Sequence, residues 1–226
     1  MRGEAYNHKP TSSGGDSSLL TLYSSLCVKR LGLVEYLPTW HAMQDFTARR
    51  NADTEDELWL LQHLPVYTLG LNGKQEHLPQ DSAIQVIKTD RGGQITYHGP
   101  GQIIAYLLLD MGRLNIGARG LVRRMEQSVI DLLESYGISA QARIDAPGVY
   151  VNGSKIAALG LRIKQGCCYH GLALNVDMDL RPFRAINPCG HPGMQVTQLR
   201  DLGVAESLDR VSEKLIEKLI YHVHKT

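Results

Sequence analysis

The segment from Gly148 to Val176 restricts the choice of fold more than any other part of the chain. Gly148-Val149-Tyr150-Val151 and the run Ser154 to Ile163 flank Asn152-Gly153. That dipeptide favours a two-residue β-hairpin because both of its residues tolerate positive φ. Lys164-Gln165-Gly166 then turns the chain again into Cys168 to Val176. Consecutive hairpins make antiparallel pairs, so an all-parallel sheet is excluded.

Helical patterns surround this β region. Pro38-Thr39 opens a predicted helix to about Asn51, with Met43, Phe46 and Thr47 at helical spacing, after an opening strand from Leu26 to Tyr36. Asp53 is placed to cap a second helix through Trp59-Leu60-Leu61, stopped by Pro65. Val66 to Leu69, Ile84 to Lys88 and the apolar run Ile103 to Leu109 read as strands. Leu121, Val122, Met125, Val129, Leu132, Leu133 and Tyr136 mark one face of a long helix that Gly137 ends. After a loop holding Pro182, Pro188 and Pro192, the residues Leu208, Val211, Leu215, Ile216, Leu219 and Val223 form a final amphipathic helix. The fold class expected is α+β: a single domain over residues 21–226 with a mixed or antiparallel sheet and flanking helices. Residues 1–20, polar and rich in Ser and Gly, are expected to be a flexible N-terminal leader.

Charge narrows the range of partners. Lys plus Arg number 24 against 23 Asp plus Glu, a net of +1, which offers no field for nucleic acid or an anionic membrane. No apolar run reaches the ~18 residues of a membrane span, and the start lacks the order of a signal peptide. Cys27, Cys167, Cys168 and Cys189 do not form a disulfide framework, since two are adjacent and a chain of this length can build a core without staples. A cytoplasmic location is expected.

Candidate chemistry lies in three places. Arg91 to Gln102 carries four glycines and one proline in twelve residues, with Arg, Gln, Thr, Tyr and His threaded among them. Such a stretch exposes backbone N–H groups and admits a ligand closely, so it is read as a binding loop. Asn187-Pro188-Cys189-Gly190 sets a cysteine in a tight loop, where a thiol can be reached. Lys155 stands on a strand whose face continues with Ala157 and Leu159, either as an edge-strand guard or as a partner of Cys189. An ammonium near a thiol lowers its pKa from about 8.5 and favours the thiolate. His98 and His170 are alternative bases for a Cys–His pair, or loop-shaping residues. His222-Val223-His224 is expected to be a solvated helix end. No CxxC or HxxxH occurs and no metal site is expected.

Arg91–Gln102 (RGGQITYHGPGQ), Asp145–Tyr150 (DAPGVY), Lys155–Arg162 (KIAALGLR), Gly171–Val176 (GLALNV) and Asn187–Gly190 (NPCG) together resemble the LipB family of octanoyl-[acyl-carrier-protein]:protein octanoyltransferases. The resemblance runs from about Cys27 to the C-terminus. It implies a fold of the biotin/lipoate protein ligase type and transfer of an octanoyl or lipoyl group from acyl carrier protein to a lysine. The implied acceptors are the lipoyl domains of 2-oxoacid dehydrogenase E2 subunits and the glycine cleavage H protein. It further implies Cys189 as acyl-thioester nucleophile and Lys155 as the group that lowers its pKa. Arg91, Gly92, Gly93, Gln94, Ile95, Thr96, Tyr97 and His98, with Ala158, Leu159, Gly160, Gly171, Leu172 and Ala173, are implied to line the acyl site. No cofactor is implied. The alternative on the same fold is an ATP-dependent lipoate or biotin ligase, against which stand the Cys189–Lys155 pairing and a glycine-rich loop without an evident phosphate-binding lysine. A cysteine hydrolase and a non-catalytic scaffold are the more distant alternatives.

Overall fold

The computed structural model describes residues 26–74, 78–79, 83–186 and 193–225. The expected leader and the segment 187–192, with Cys189, lie outside them. Thirteen principal elements follow in order: β1 (Leu26–Val34), α1 (Tyr36–Arg49), β2 (Asp56–His63), β3 (Val66–Leu69), β4 (Val86–Lys88), β5 (Ile95–His98), β6 (Gln102–Asp110), α2 (Ala118–Glu134), β7 (Gln141–Ala142), β8 (Gly148–Val151), β9 (Ser154–Lys164), β10 (Cys167–Asn175) and α3 (Leu208–His224). Short 3-10 turns cover Arg181–Ala185 and Arg200–Leu202.

Seven strands form one sheet in the order β1-β2-β6-β10-β9-β8-β7. Only β1 and β2 pair in parallel; the other neighbours are antiparallel. A second sheet has the order β4-β3-β5. The domain is therefore α+β as expected, with two sheets where one was foreseen.

Period-two alternation explains why the central strands read as continuous apolar runs. On β6, Ile103, Ala105, Leu107 and Leu109 enter a core against α2 and α3, while Ile104, Tyr106 and Leu108 pack with Met43 of α1 on the other face. A strand covered on both faces has no polar side to alternate with. The same cause corrects the helix expected after Asp53. Leu58 and Leu60 face α2 and α3, and Trp59 and Leu61 face α1, so Asp56–His63 is a strand buried on both sides. A short apolar run carries no period that separates the two states.

Several boundaries differ from expectation. The first helix starts at Tyr36, ahead of Pro38. The glycine-rich stretch contains strand β5, paired to β3. Cys27 is exposed on an edge strand, whereas Cys168 is buried. His222 is buried against Asp131 at 2.7 Å, so the C-terminal histidines are not simply solvated. The hairpin is as read: Asn152 (φ 48°) and Gly153 (φ 82°) both take positive φ between β8 and β9. No helix of the described residues is long and apolar enough to cross a membrane.

Candidate active site

β9 and β10 are in register so that Ala158 pairs with Ala173 and Gly160 with Gly171. These four small residues share the sheet face turned away from α2 and α3, because side chains two apart along a strand share a face. Bulky residues here would fill the space; small ones leave a hollow. A cavity of about 510 Å³, part of it open to solvent, lies over them. Its lining is Tyr36, Arg91, Gly93, Gln94, Ile95, Thr96, His98, Ile104, Tyr106, Ala158, Leu159, Gly160, His170, Gly171, Leu172 and Ala173. Twelve of the fourteen residues expected to bind substrate are thus gathered round one space. The exceptions are Gly92, which lines a neighbouring groove, and Tyr97, whose ring packs with Tyr67 and Phe183 beneath the small sheet. Tyr36, Ile104, Tyr106 and His170 join the lining without having been expected there.

Arg91 forms the roof from inside. Its guanidinium donates to the Thr68 carbonyl (2.5 Å), the Thr68 hydroxyl (2.9 Å), the Gln94 carbonyl (2.8 Å) and the Gly92 carbonyl (2.9 Å). Gly92 N–H donates to the Leu161 carbonyl at 2.9 Å and ties the loop to β9. The planar fork of donors orders a loop that has few side chains of its own to pack.

A directional chain of hydrogen bonds runs from this roof. Thr68 Oγ1 accepts from Arg91, so its own proton goes to His98 Nε2 at 3.3 Å. His98 Nδ1–H then donates to Gln102 Oε1 (2.8 Å), Gln102 Nε2 to Asn175 Oδ1 (2.9 Å), and Asn175 Nδ2 to the Thr197 carbonyl (2.9 Å). Every member is satisfied only if His98 is neutral. Burial, with repulsion from His63 behind it, pushes the His98 imidazole down to about 3. Both nitrogens are committed, which favours the loop-shaping alternative for His98.

His170 differs. It is 1% exposed and sits at φ 64°, a strained position for a residue with a side chain. A carboxylate only accepts, so His170 Nε2–H donates to Asp90 Oδ1 at 3.0 Å. Nδ1 is left as a buried acceptor with no hydrogen-bond partner. Asp90 also accepts from Trp40 (2.8 Å), Gln44 (3.1 Å) and the Tyr169 hydroxyl. Burial works against its carboxylate, but these donors together hold it well below the usual carboxylate range. Burial pushes the Tyr36 hydroxyl, also at the cavity wall, up to about 12.

Lys155 is 3% exposed, and β9 is an interior strand, so it is no edge-strand guard. Its ammonium donates to the Pro147 carbonyl at 3.2 Å and lies 5.1 Å from the centre of the Tyr150 ring. Beyond the last β9–β10 pair, residues 195–197 take the place of β10 beside it. Lys155 N–H donates to the Gln195 carbonyl (2.8 Å), and Thr197 N–H donates to the Lys155 carbonyl (2.9 Å). The chain therefore returns from 187–192 directly alongside Lys155. Of the three cysteines within the described residues, burial pushes Cys168 up to about 12 and raises Cys167, while Cys27 is exposed on the edge strand β1. No cluster of His, Cys, Asp and Glu among the described residues could hold a metal ion.

Residues 35–220 match the family described as the lipoyl protein ligase A/B catalytic domain. An octanoyltransferase of Nitrosospira multiformis is 63% identical over 87% of this chain and 91% of its own length. Among solved structures, lipoate-protein ligase A bound with ATP superposes with a TM-score of 0.71 at 18% identity, covering 88% of this chain and 85% of that one. The biotin protein ligase of Aquifex aeolicus, with biotin and ATP, reaches 0.55 at 13% identity, over 87% of this chain and 70% of that one. These two share the fold.

Proposed function

We propose, for a chain that belongs to the lipoyl protein ligase A/B catalytic domain family, a two-step octanoyl transfer through Cys189 and Lys155. The protein is an octanoyltransferase of protein lipoylation. In the first step the Cys189 thiolate attacks the thioester carbonyl of an octanoyl group on the phosphopantetheine arm of acyl carrier protein. A carbon–sulfur bond to Cys189 forms, the bond to the carrier sulfur breaks, and Lys155 gives the departing sulfur its proton. In the second step the ε-amine of an acceptor lysine attacks the enzyme thioester. Its nitrogen bonds to the acyl carbon, neutral Lys155 takes the proton, and Cys189 leaves as thiolate. A thioester donor already carries the acyl group in activated form, so no ATP is consumed.

The observation that carries this reading is the buried Lys155 ammonium beside the returning segment 195–197, on the same strand β9 that supplies Ala158 and Gly160 to the cavity floor. A cation there favours a thiolate delivered by the intervening segment. The cavity takes the acyl chain, whose buried methylenes contribute about 0.8 kcal/mol each. Acceptors are the lipoyl domains of 2-oxoacid dehydrogenase E2 subunits and the glycine cleavage H protein.

Intact-protein mass spectrometry tests the reading. Mixing the enzyme with octanoyl-acyl carrier protein, without ATP, should add one octanoyl mass, lost on adding a lipoyl domain and absent in Cys189→Ser. Acceptor modification only when ATP and free octanoate are supplied would mean a ligase and overturn it.

A further inference from the structure

If Lys155 serves as proposed above, its ammonium must stay in one place, and a buried carboxylate on α2 bears on that place. Glu126 lies on the apolar face of the helix between Met125 and Val129 and is 7% exposed. A carboxylate is rarely buried without a strong partner. Its Oε1 accepts the N–H of Gly148 at 3.0 Å. The carbonyl of that same peptide group belongs to Pro147 and accepts from Lys155 Nζ at 3.2 Å. One planar unit thus faces a carboxylate on one edge and an ammonium on the other.

Two features show how closely this is built. Gly148 has φ 150°, which L side chains rarely adopt. A Cβ there would stand 2.9 Å from Lys155 Cε, 3.1 Å from Nζ and 2.8 Å from the Ala157 carbonyl oxygen. The lysine therefore packs on the bare Cα of Gly148, and turning the peptide would move the ammonium's acceptor away. Hydrogen bonds in series also polarise one another: a carboxylate on the N–H makes the opposite carbonyl a better acceptor.

We propose that Glu126 is a positioning residue for Lys155, acting through the Pro147–Gly148 peptide. Glu126 bonds the Gly148 N–H rather than the Lys155 ammonium. It fixes the plane whose carbonyl aims the ammonium. Because the inference rests on the role given to Lys155, the test carries its own control.

Glu126→Ala and Glu126→Gln, with Lys155→Ala beside them, are assayed for transfer from octanoyl-acyl carrier protein to a lipoyl domain, and their thermal midpoints are measured. Loss of the anchor in Glu126→Ala should lower kcat by about 100-fold, the scale of a ~1 Å misplacement, with the donor KM within about twofold of wild type. Glu126→Gln keeps an acceptor oxygen for the Gly148 N–H but not the charge, and should hold kcat at about three- to tenfold below wild type. A packing role alone would lower the thermal midpoint of both variants and leave kcat per folded enzyme intact. A folded Glu126→Ala with wild-type kcat overturns the inference. Should Glu126→Ala not fold, wild-type kcat in Glu126→Gln does so, and a fall of about three- to tenfold at unchanged KM upholds it. Full activity in Lys155→Ala would instead sink the parent reading.

Discussion

Ala158→Leu should change which acyl chain the enzyme prefers without unfolding it. Ala158 faces Ala173 across the β9–β10 pair, and both line the cavity rather than the core shared with α2 and α3. Leucine adds three carbons over alanine, within the cavity proposed to take the acyl chain. If those carbons displace three from the acyl chain, octanoyl loses about 2.4 kcal/mol of transfer free energy relative to a chain three carbons shorter. That corresponds to about a 60-fold change in relative kcat/KM. The assay is competition between octanoyl- and pentanoyl-acyl carrier protein for one lipoyl domain, read as product masses at early times. The wild type should favour octanoyl by roughly that factor, and the variant should bring the ratio near unity. A variant with the wild-type ratio and an unchanged thermal midpoint would refute the placement of the acyl chain over the small-residue face.

Gly171→Ala should destabilise the fold itself, because a Cβ at Gly171 would overlap the Ala105 carbonyl of the neighbouring strand and approach Leu107 Cδ1 to 2.9 Å. Backbone on a central strand yields poorly, so a loss of about 3 kcal/mol is expected in denaturant unfolding, and a value under about 1 kcal/mol would contradict the packing. Acid should also destabilise the protein. Burial lowers His63 to about 4 and His98 to about 3, both below the unfolded value of 6.5. The unfolded state therefore binds protons first, and stability falls as pH drops from 6.5 toward 4, by about 3 kcal/mol per histidine at the lower limit. Thermal midpoints measured across that range should decline steeply, and His63→Gln should flatten part of the slope; a flat wild-type profile would show that these histidines are not held neutral.

The hairpins and the two long amphipathic helices were legible in the chain, because each depends on local chemistry. Asn152-Gly153 forms a tight turn for reasons contained in those two residues, and Leu121, Met125, Val129 and Leu132 declare one helical face wherever the helix docks. Asp56–His63 was misread because a doubly buried strand loses the alternation that identifies it. Its state was set by β1 and β6 on either side, which no local pattern contains.

The site divides in the same way. Motif residues 91–98, 158–160 and 171–173 could be named from the sequence, yet what makes Tyr97 a core ring and His170 a cavity wall is how the two sheets lie against each other. Glu126 carried one signal that went unread, a carboxylate within an apolar helical stripe. Its partner is 22 positions away, on a peptide group shared with Lys155. Local sequence determines which chemistry is on hand because propensity and periodicity act over a few residues. Tertiary structure decides which groups meet, since burial strips away water and leaves each polar atom dependent on whatever the fold brings beside it.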